Sequence, residues 1–194
     1  MSGVLGVLLA GGRSERFGAP KALAIFRGRT LLDRAREELA AVCDVVVVVA
    51  PAGAALPLAA GERVADALPL EGPLSALVAG LEARPFTRAL ALAVDLPLLE
   101  RGHLARLRDE AGEEAALVPA PEGRPQPLAG VYAARAAAPL RAALDRGVRA
   151  VTDAVRSLGP RLLDDAALER LGVPARLFAD ADTPEALARL ESVR

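Results

Sequence analysis

Residues 4–21 read VLGVLLAGGRSERFGAPK. The first six, Val4 to Leu9, carry no charge, and the apolar run stops at Ala10-Gly11-Gly12. A short run of this kind predicts a strand buried on both faces. The glycines after it let the backbone approach a ligand closely and present its amides to an anion. Arg13, Arg16 and Lys21 follow within the same stretch. Strand, glycine turn and cations together predict a phosphate cradle at the carboxyl end of the first strand. The spacing is not that of a P-loop, which needs Gly-Lys-Ser/Thr running into a helix, nor that of the G-x-G-x-x-G dinucleotide turn.

Working outward, the chain alternates strand-like and helix-like segments. Thr30 is placed to cap a helix over Leu31 to Val42. Val45 to Val49 are five consecutive valines, β-branched throughout, and predict a strand buried on both faces. Arg63 to Asp66 is a short strand candidate, and Pro73 opens a helix running to about Ala83. Ala89 to Val94 is a further apolar run, closed by Asp95-Leu96-Pro97. A helix is expected from His103 to Ala111, strands over Ala115 to Pro119 and Leu128 to Tyr132, and a helix over Ala136 to Asp145 stopped by Gly147. Thr183-Pro184-Glu185 opens the last helix, with Thr183 as N-cap and Pro184 at the first helical position. Apolar strands separated by helices imply an α/β fold, Rossmann-like, with a mostly parallel sheet between two helical layers. The length of 194 residues fits one domain over 1–194. Sheets of this class bind ligands beyond the carboxyl ends of their strands.

Composition narrows the function. The formal net charge is −1, which leaves no electrostatic footprint for general nucleic-acid or membrane-surface binding. Cys43 is the sole cysteine, so an internal disulfide and a multi-cysteine zinc cage are excluded. The apolar opening is cut by Gly11-Gly12, too soon for a membrane span, and no basic segment precedes it. A soluble, cytoplasmic protein is expected. Of 24 basic residues only Lys21 is lysine. A position that resists arginine in this chain is one that needs a compact ammonium instead of a planar fork.

Other residues carry candidate chemistry. Asp95 closes an apolar strand, and a hard carboxylate there suits Mg²⁺, which takes one or two protein carboxylates plus phosphates and water. Asp66 also ends a strand, where a carboxylate can accept from the N1–H and 2-amino group of guanine. Gly72-Pro73 after it makes a nucleoside-facing helix start. Gln126 and Tyr132, each the sole residue of its type, approach a buried strand. Asp182 is a candidate second metal or acceptor contact beside the Thr183 cap. His103 has no partner that would make it a catalytic base, and Cys43 reads as core filler. No serine sits in a G-x-S-x-G elbow, so a Ser-His-Asp hydrolase has no support.

Leu9, Ala10, Gly11, Gly12, Ser14, Arg16, Gly18 and Lys21 match the L-A-G-G-x-S-x-R-M-G-x-x-K signature of sugar-nucleotide and cofactor nucleotidyltransferases, with Phe17 in place of the methionine. The chain most resembles the molybdenum cofactor guanylyltransferases. Asp66 before Gly72-Pro73-Leu74, Asp95-Leu96-Pro97, Gln126-Pro127-Leu128 and Asp182-Thr183-Pro184-Glu185 extend the resemblance to the end of the chain. Ala76 and Asp180 depart from it, replacing a glycine and an asparagine, and Val48 to Ala50 hold no asparagine where the family has one. The resemblance implies a three-layer nucleotidyltransferase fold that transfers GMP from GTP to the terminal phosphate of molybdenum-bound molybdopterin, releasing pyrophosphate. It implies Leu9, Ala10, Gly11, Gly12, Lys21, Asp66, Gly72 and Asp95 as nucleotide contacts. Lys21, Arg16 and Asp95 would be the catalytic residues, with Asp95 holding Mg²⁺. It further implies GTP, the molybdenum cofactor and molybdoenzyme or cofactor-biosynthesis proteins as partners. A cytidylyltransferase on the same pterin and a sugar-1-phosphate nucleotidyltransferase are the alternatives within the class. Cytidylyl relatives read L-A-A-G, so Gly11-Gly12 favours guanine. A GTP-binding adaptor that delivers cofactor without turnover is the alternative outside it.

Overall fold

The structure, a computed structural model, describes residues 3–11, 20–58, 63–66 and 72–192. Among them seven strands form one sheet: β1 (Val4–Leu9), β4 (Val45–Ala50), β5 (Arg63–Ala65), β6 (Arg88–Ala93), β7 (Ala116–Pro119), β8 (Val131–Ala133) and β9 (Arg161–Leu163). A separate two-residue hairpin pairs β2 (Ile25–Phe26) with β3 (Arg29–Thr30). The sheet order is β5-β4-β1-β6-β8-β7-β9, and only β8 runs against the rest. The expected mostly parallel α/β sheet is therefore present.

Alternation along the strands builds two cores. Leu8, Val48, Leu90 and Leu92 face α1 (Leu31–Ala40) and α3 (Arg101–Glu110), with α6 (Asp165–Leu171) and α7 (Pro184–Glu191) completing that side. Leu5, Val7, Leu9, Val47, Val49, Ala89 and Ala91 face α2 (Pro73–Glu82), α4 (Ala137–Asp145) and α5 (Val151–Arg156). Side chains two apart share a face of a strand, so an uninterrupted apolar run feeds both layers at once. On the second side α2 packs very close to the sheet. A Cβ added at Gly80 would lie 2.2 Å from Val7 Cγ1, so glycine there sets the helix-to-strand distance.

Three expectations are corrected. Val45 is half exposed and Val46 only partly covered, because β5 pairs with β4 only from Val48 onward. The valine run is thus buried on both faces only in its second half. The strand expected from Leu128 begins at Val131. Pro127 to Ala129 instead form a 3-10 turn, since proline has no N–H to give a ladder. The helix expected from His103 starts at Arg101, with Glu100 as its N-cap. Elements β9, α5 and α6, each seven residues or shorter, carry too little periodicity to be read beforehand. No helix among the described residues is long and apolar enough to cross a membrane.

Candidate active site

The parallel register places Leu9 beside Val49 on one side and Ala93 on the other, so β1, β4 and β6 end level. The last ladder bonds, Ala10 N–H to Val49 O at 2.9 Å and Val94 N–H to Leu9 O at 3.1 Å, hold the first loop residues at the rim. Beyond them opens a cleft of about 430 Å³. Leu9, Ala10, Gly11, Lys21, Asp66, Gly72, Asp95 and Asp182 all line it, together with Pro51, Ala76 and Leu128. Gly12 and Arg16 lie outside the described residues.

Lys21 opens a short 3-10 turn whose Leu23 and Ala24 amides bond back to Pro20 O and Lys21 O. Buried Ala22 anchors the turn and the lysine side chain reaches into the cleft. Its Nζ donates to Asp95 Oδ2 at 2.9 Å and to Asp182 Oδ1 at 2.6 Å. Burial alone pulls the ammonium pKa down, but the charge of Asp95 and the bonds to both carboxylates outweigh it, and the pKa ends above that of an ordinary lysine.

Asp182 arrives by a route no local pattern announces. The Ala181 amide donates to Asp95 O at 2.9 Å, and the Ala181 side chain is fully buried. That one backbone bond lays the segment before α7 across the Asp95 loop. Thr183 then caps α7, its Oγ1 accepting from the Ala186 amide at 3.1 Å. Asp180 lies in the same segment. Partial burial raises its pKa, Asp182 and Asp95 raise it further, and Lys21 opposes them.

Asp66 follows β5 directly, and Ser75, three residues into α2, donates its hydroxyl to Asp66 Oδ1. Gly72 caps α2 with φ of +101°, a conformation that only glycine adopts without strain, and Pro73 takes the first helical position. Asp66 and Asp95 follow strands three places apart in the sheet, a span of roughly 14 Å at ordinary strand spacing. Between the two ends a Cβ at Gly11 would make only an ordinary 3.5 Å contact with Pro51. Among the described residues nothing else meets that Cβ within contact distance.

Two hard carboxylates sharing one cation position form a donor set suited to Mg²⁺, with phosphate and water oxygens filling the remaining places. Among the described residues no cluster of three or more Asp, Glu, His or Cys is arranged to hold a metal without a ligand's help.

Other candidates separate from the cleft. Tyr132 is fully buried and donates to Pro127 O at 2.6 Å, with its pKa pushed upward by burial. It belongs to the core, and of the stretch Gln126 to Tyr132 only Leu128 lines the cleft. His103 Nδ1 accepts from the Glu100 amide at 3.1 Å, and burial lowers its pKa, so it holds a helix start as a neutral ring. The Cys43 thiol is pushed up to about 12 by burial, which makes it inert. The sequence reading missed Ser75, whose only signal is a hydroxyl inside the apolar stretch Leu74 to Val78. It also missed Arg63, whose guanidinium donates to the carbonyls of Pro51, Ala52, Ala54 and Leu56 and so braces the loop that forms one wall.

Comparison with known proteins places this geometry. Residues 6–160 match the family described as MobA-like NTP transferase domain. A probable molybdenum cofactor guanylyltransferase of Chloroflexus aggregans is 34% identical, the alignment covering 96% of this chain and 93% of the relative. Molybdopterin-guanine dinucleotide biosynthesis protein A of Archaeoglobus fulgidus superposes with a TM-score of 0.78 at 23% identity, covering 97% of both chains. A Mycobacterium tuberculosis protein solved in complex with manganese superposes with a TM-score of 0.72 at 18% identity, covering 100% of both.

Proposed function

We propose that this chain, which belongs to the MobA-like NTP transferase family, transfers GMP from GTP to the terminal phosphate of molybdenum-bound molybdopterin and releases pyrophosphate. Its membership makes it a nucleotidyltransferase, and the choice of GTP and of the pterin is our reading. The observation that carries this reading is the single lysine held between Asp95 and Asp182 in a cleft whose far end presents Asp66. The naming of the Chloroflexus aggregans relative and the pair Gly11-Gly12 both favour guanine.

In this reading the acceptor phosphate attacks the α-phosphorus of GTP in line, forming the new P–O bond as the bond to pyrophosphate breaks. The attacking group is already an anion, so no general base is needed, and the protein supplies position and positive charge. The amide at Gly11 and the ammonium of Lys21 meet the phosphates. Arg16 and Gly12, outside the described residues, are assigned to the same role. Asp66 and Gly72 receive the base, with Leu9 and Ala10 forming the floor beneath the nucleoside. Asp95, with Asp182 beside it, would hold Mg²⁺, which when bound supplies charge against the triphosphate. The manganese held by the Mycobacterium tuberculosis neighbour supports a divalent ion in this fold. The partners are then GTP and the molybdenum cofactor, followed by the molybdoenzymes or biosynthetic proteins that take up the product.

Intact Lys21 and Asp95 in one cleft favour turnover over an adaptor role, since binding alone has less need of a metal carboxylate. The test measures pyrophosphate release from GTP, CTP and UTP with purified molybdopterin and Mg²⁺. Release with GTP in clear preference is expected. Preference for CTP overturns the choice of base, and binding without release with any of the three overturns the enzymatic reading.

A further inference from the structure

Apart from the Tyr132 hydroxyl, Ser75 carries the only polar side chain among the fully buried described residues, and it sits in the first turn of α2 with its hydroxyl on Asp66 Oδ1. A serine in a helix interior has other options, commonly bonding back to its own helix. Here the hydroxyl leaves the helix and reaches across to the loop after β5. The carboxylate it meets lines the cleft, whereas Ser75 does not. The Asp66 amide donates to Ala50 O at 3.4 Å. The helix under Ser75 is seated on the sheet, Gly80 packing directly against Val7.

From this geometry we infer that Ser75 is a positioning residue for base selection, fixing the rotation of the Asp66 carboxylate by a hydroxyl mounted on α2. The inference rests on the assignment of Asp66 to the guanine edge. Guanine offers N1–H and a 2-amino group side by side, a pair that a carboxylate reads only when its plane lies in the plane of the base. An aspartate free to rotate still presents negative charge but loses that match. Ser75 thus acts on which base is accepted, through Asp66, and not on the phosphates some 14 Å away by strand spacing.

The experiment is calorimetric titration of the protein with GTP and with ITP, which lacks the 2-amino group, in wild type, Ser75→Ala, Asp66→Ala and the double variant. A hydrogen bond to a charged group corresponds to about tenfold in preference, so Ser75→Ala is expected to lose about tenfold of the GTP-over-ITP ratio. Asp66→Ala is expected to abolish the ratio, and adding Ser75→Ala to it is expected to change nothing further. Full retention of the ratio in Ser75→Ala, alongside its loss in Asp66→Ala, overturns the positioning role while leaving the Asp66 assignment standing. Retention in Asp66→Ala overturns the assignment itself and the inference with it. A further loss of affinity in the double variant marks Ser75 as merely structural and also overturns it. If Ser75→Ala fails to fold, Ser75→Cys keeps the shape with a weak donor and is expected to lose the ratio in the same way.

Discussion

The two ends of the cleft are built on different principles. At one end Lys21 meets Asp95 across 74 residues of sequence and Asp182 across 161. At the other, Asp66 and Ser75 are nine residues apart, at the end of β5 and the start of α2. The charged end therefore exists only when the whole sheet and the segment before α7 are in place. The Asp66 end draws on two elements adjacent in sequence, β5 and the start of α2. In the proposed reaction the charge of the triphosphate is met by groups drawn from distant parts of the chain. Recognition of a flat base edge demands one well-oriented carboxylate, which a local unit can supply.

The largest effects are expected at the charged end. Lys21→Ala and Asp95→Ala should each cost roughly 3 kcal/mol of transition-state stabilisation, about a hundredfold or more in guanylyl transfer, with the fold retained. Steady-state pyrophosphate release measures this, and near-normal turnover in either variant would erase the functional distinction between the two ends. Neither change is expected to alter the GTP-over-ITP ratio.

Asp182→Asn should have a smaller effect, about tenfold in rate. Asp182 is more than half exposed, and the lysine keeps its bond to Asp95. The Mg²⁺ concentration for half-maximal rate should rise in parallel. A rate loss with an unchanged Mg²⁺ requirement would make Asp182 a partner of Lys21 alone. Stability should change by less than about 1 kcal/mol, as for exposed ion pairs generally.

The smallest effect concerns stability at high pH. The Lys21 pKa lies above the unfolded value of 10.5, so its ammonium contributes stability that is fully present below that pH. The contribution disappears as pH rises through the higher folded value. Thermal unfolding of wild type and Lys21→Met should show a constant difference below about pH 10 and a shrinking one above it. A difference that shrinks already near neutral pH would mean that the two carboxylates do not hold the ammonium as described.

Much of the layout was legible from local chemistry. Val4 to Leu9, Val45 to Val49 and Ala89 to Val94 are apolar without interruption, and each forms a strand of the sheet covered on both faces over most of its length. Gly72-Pro73 and Thr183-Pro184 marked two helix starts correctly because capping is decided by adjacent residues. The sole lysine among arginines singled out Lys21. Reading failed where a residue's neighbours in space are not its neighbours in sequence. Tyr132 and Gln126 stood out only as the sole residues of their types, and the tyrosine hydroxyl is spent on Pro127 O inside the core. Val45 was misjudged because burial depends on whether β5 reaches that far along β4.

The order of residues alone determined the longer elements, the mostly parallel sheet and the candidate groups for a nucleotide, since these follow from side-chain periodicity, turn chemistry and charge. Tertiary structure decided which of those groups share a cleft and how each is held. A buried Ala181 and one amide bond to Asp95 O bring Asp182 to the lysine, and a hydroxyl on α2 reaches Asp66. Contacts of that kind depend on the distance between layers and the register of strands, and those are properties of the packed sheet and helices, not of any one stretch of chain.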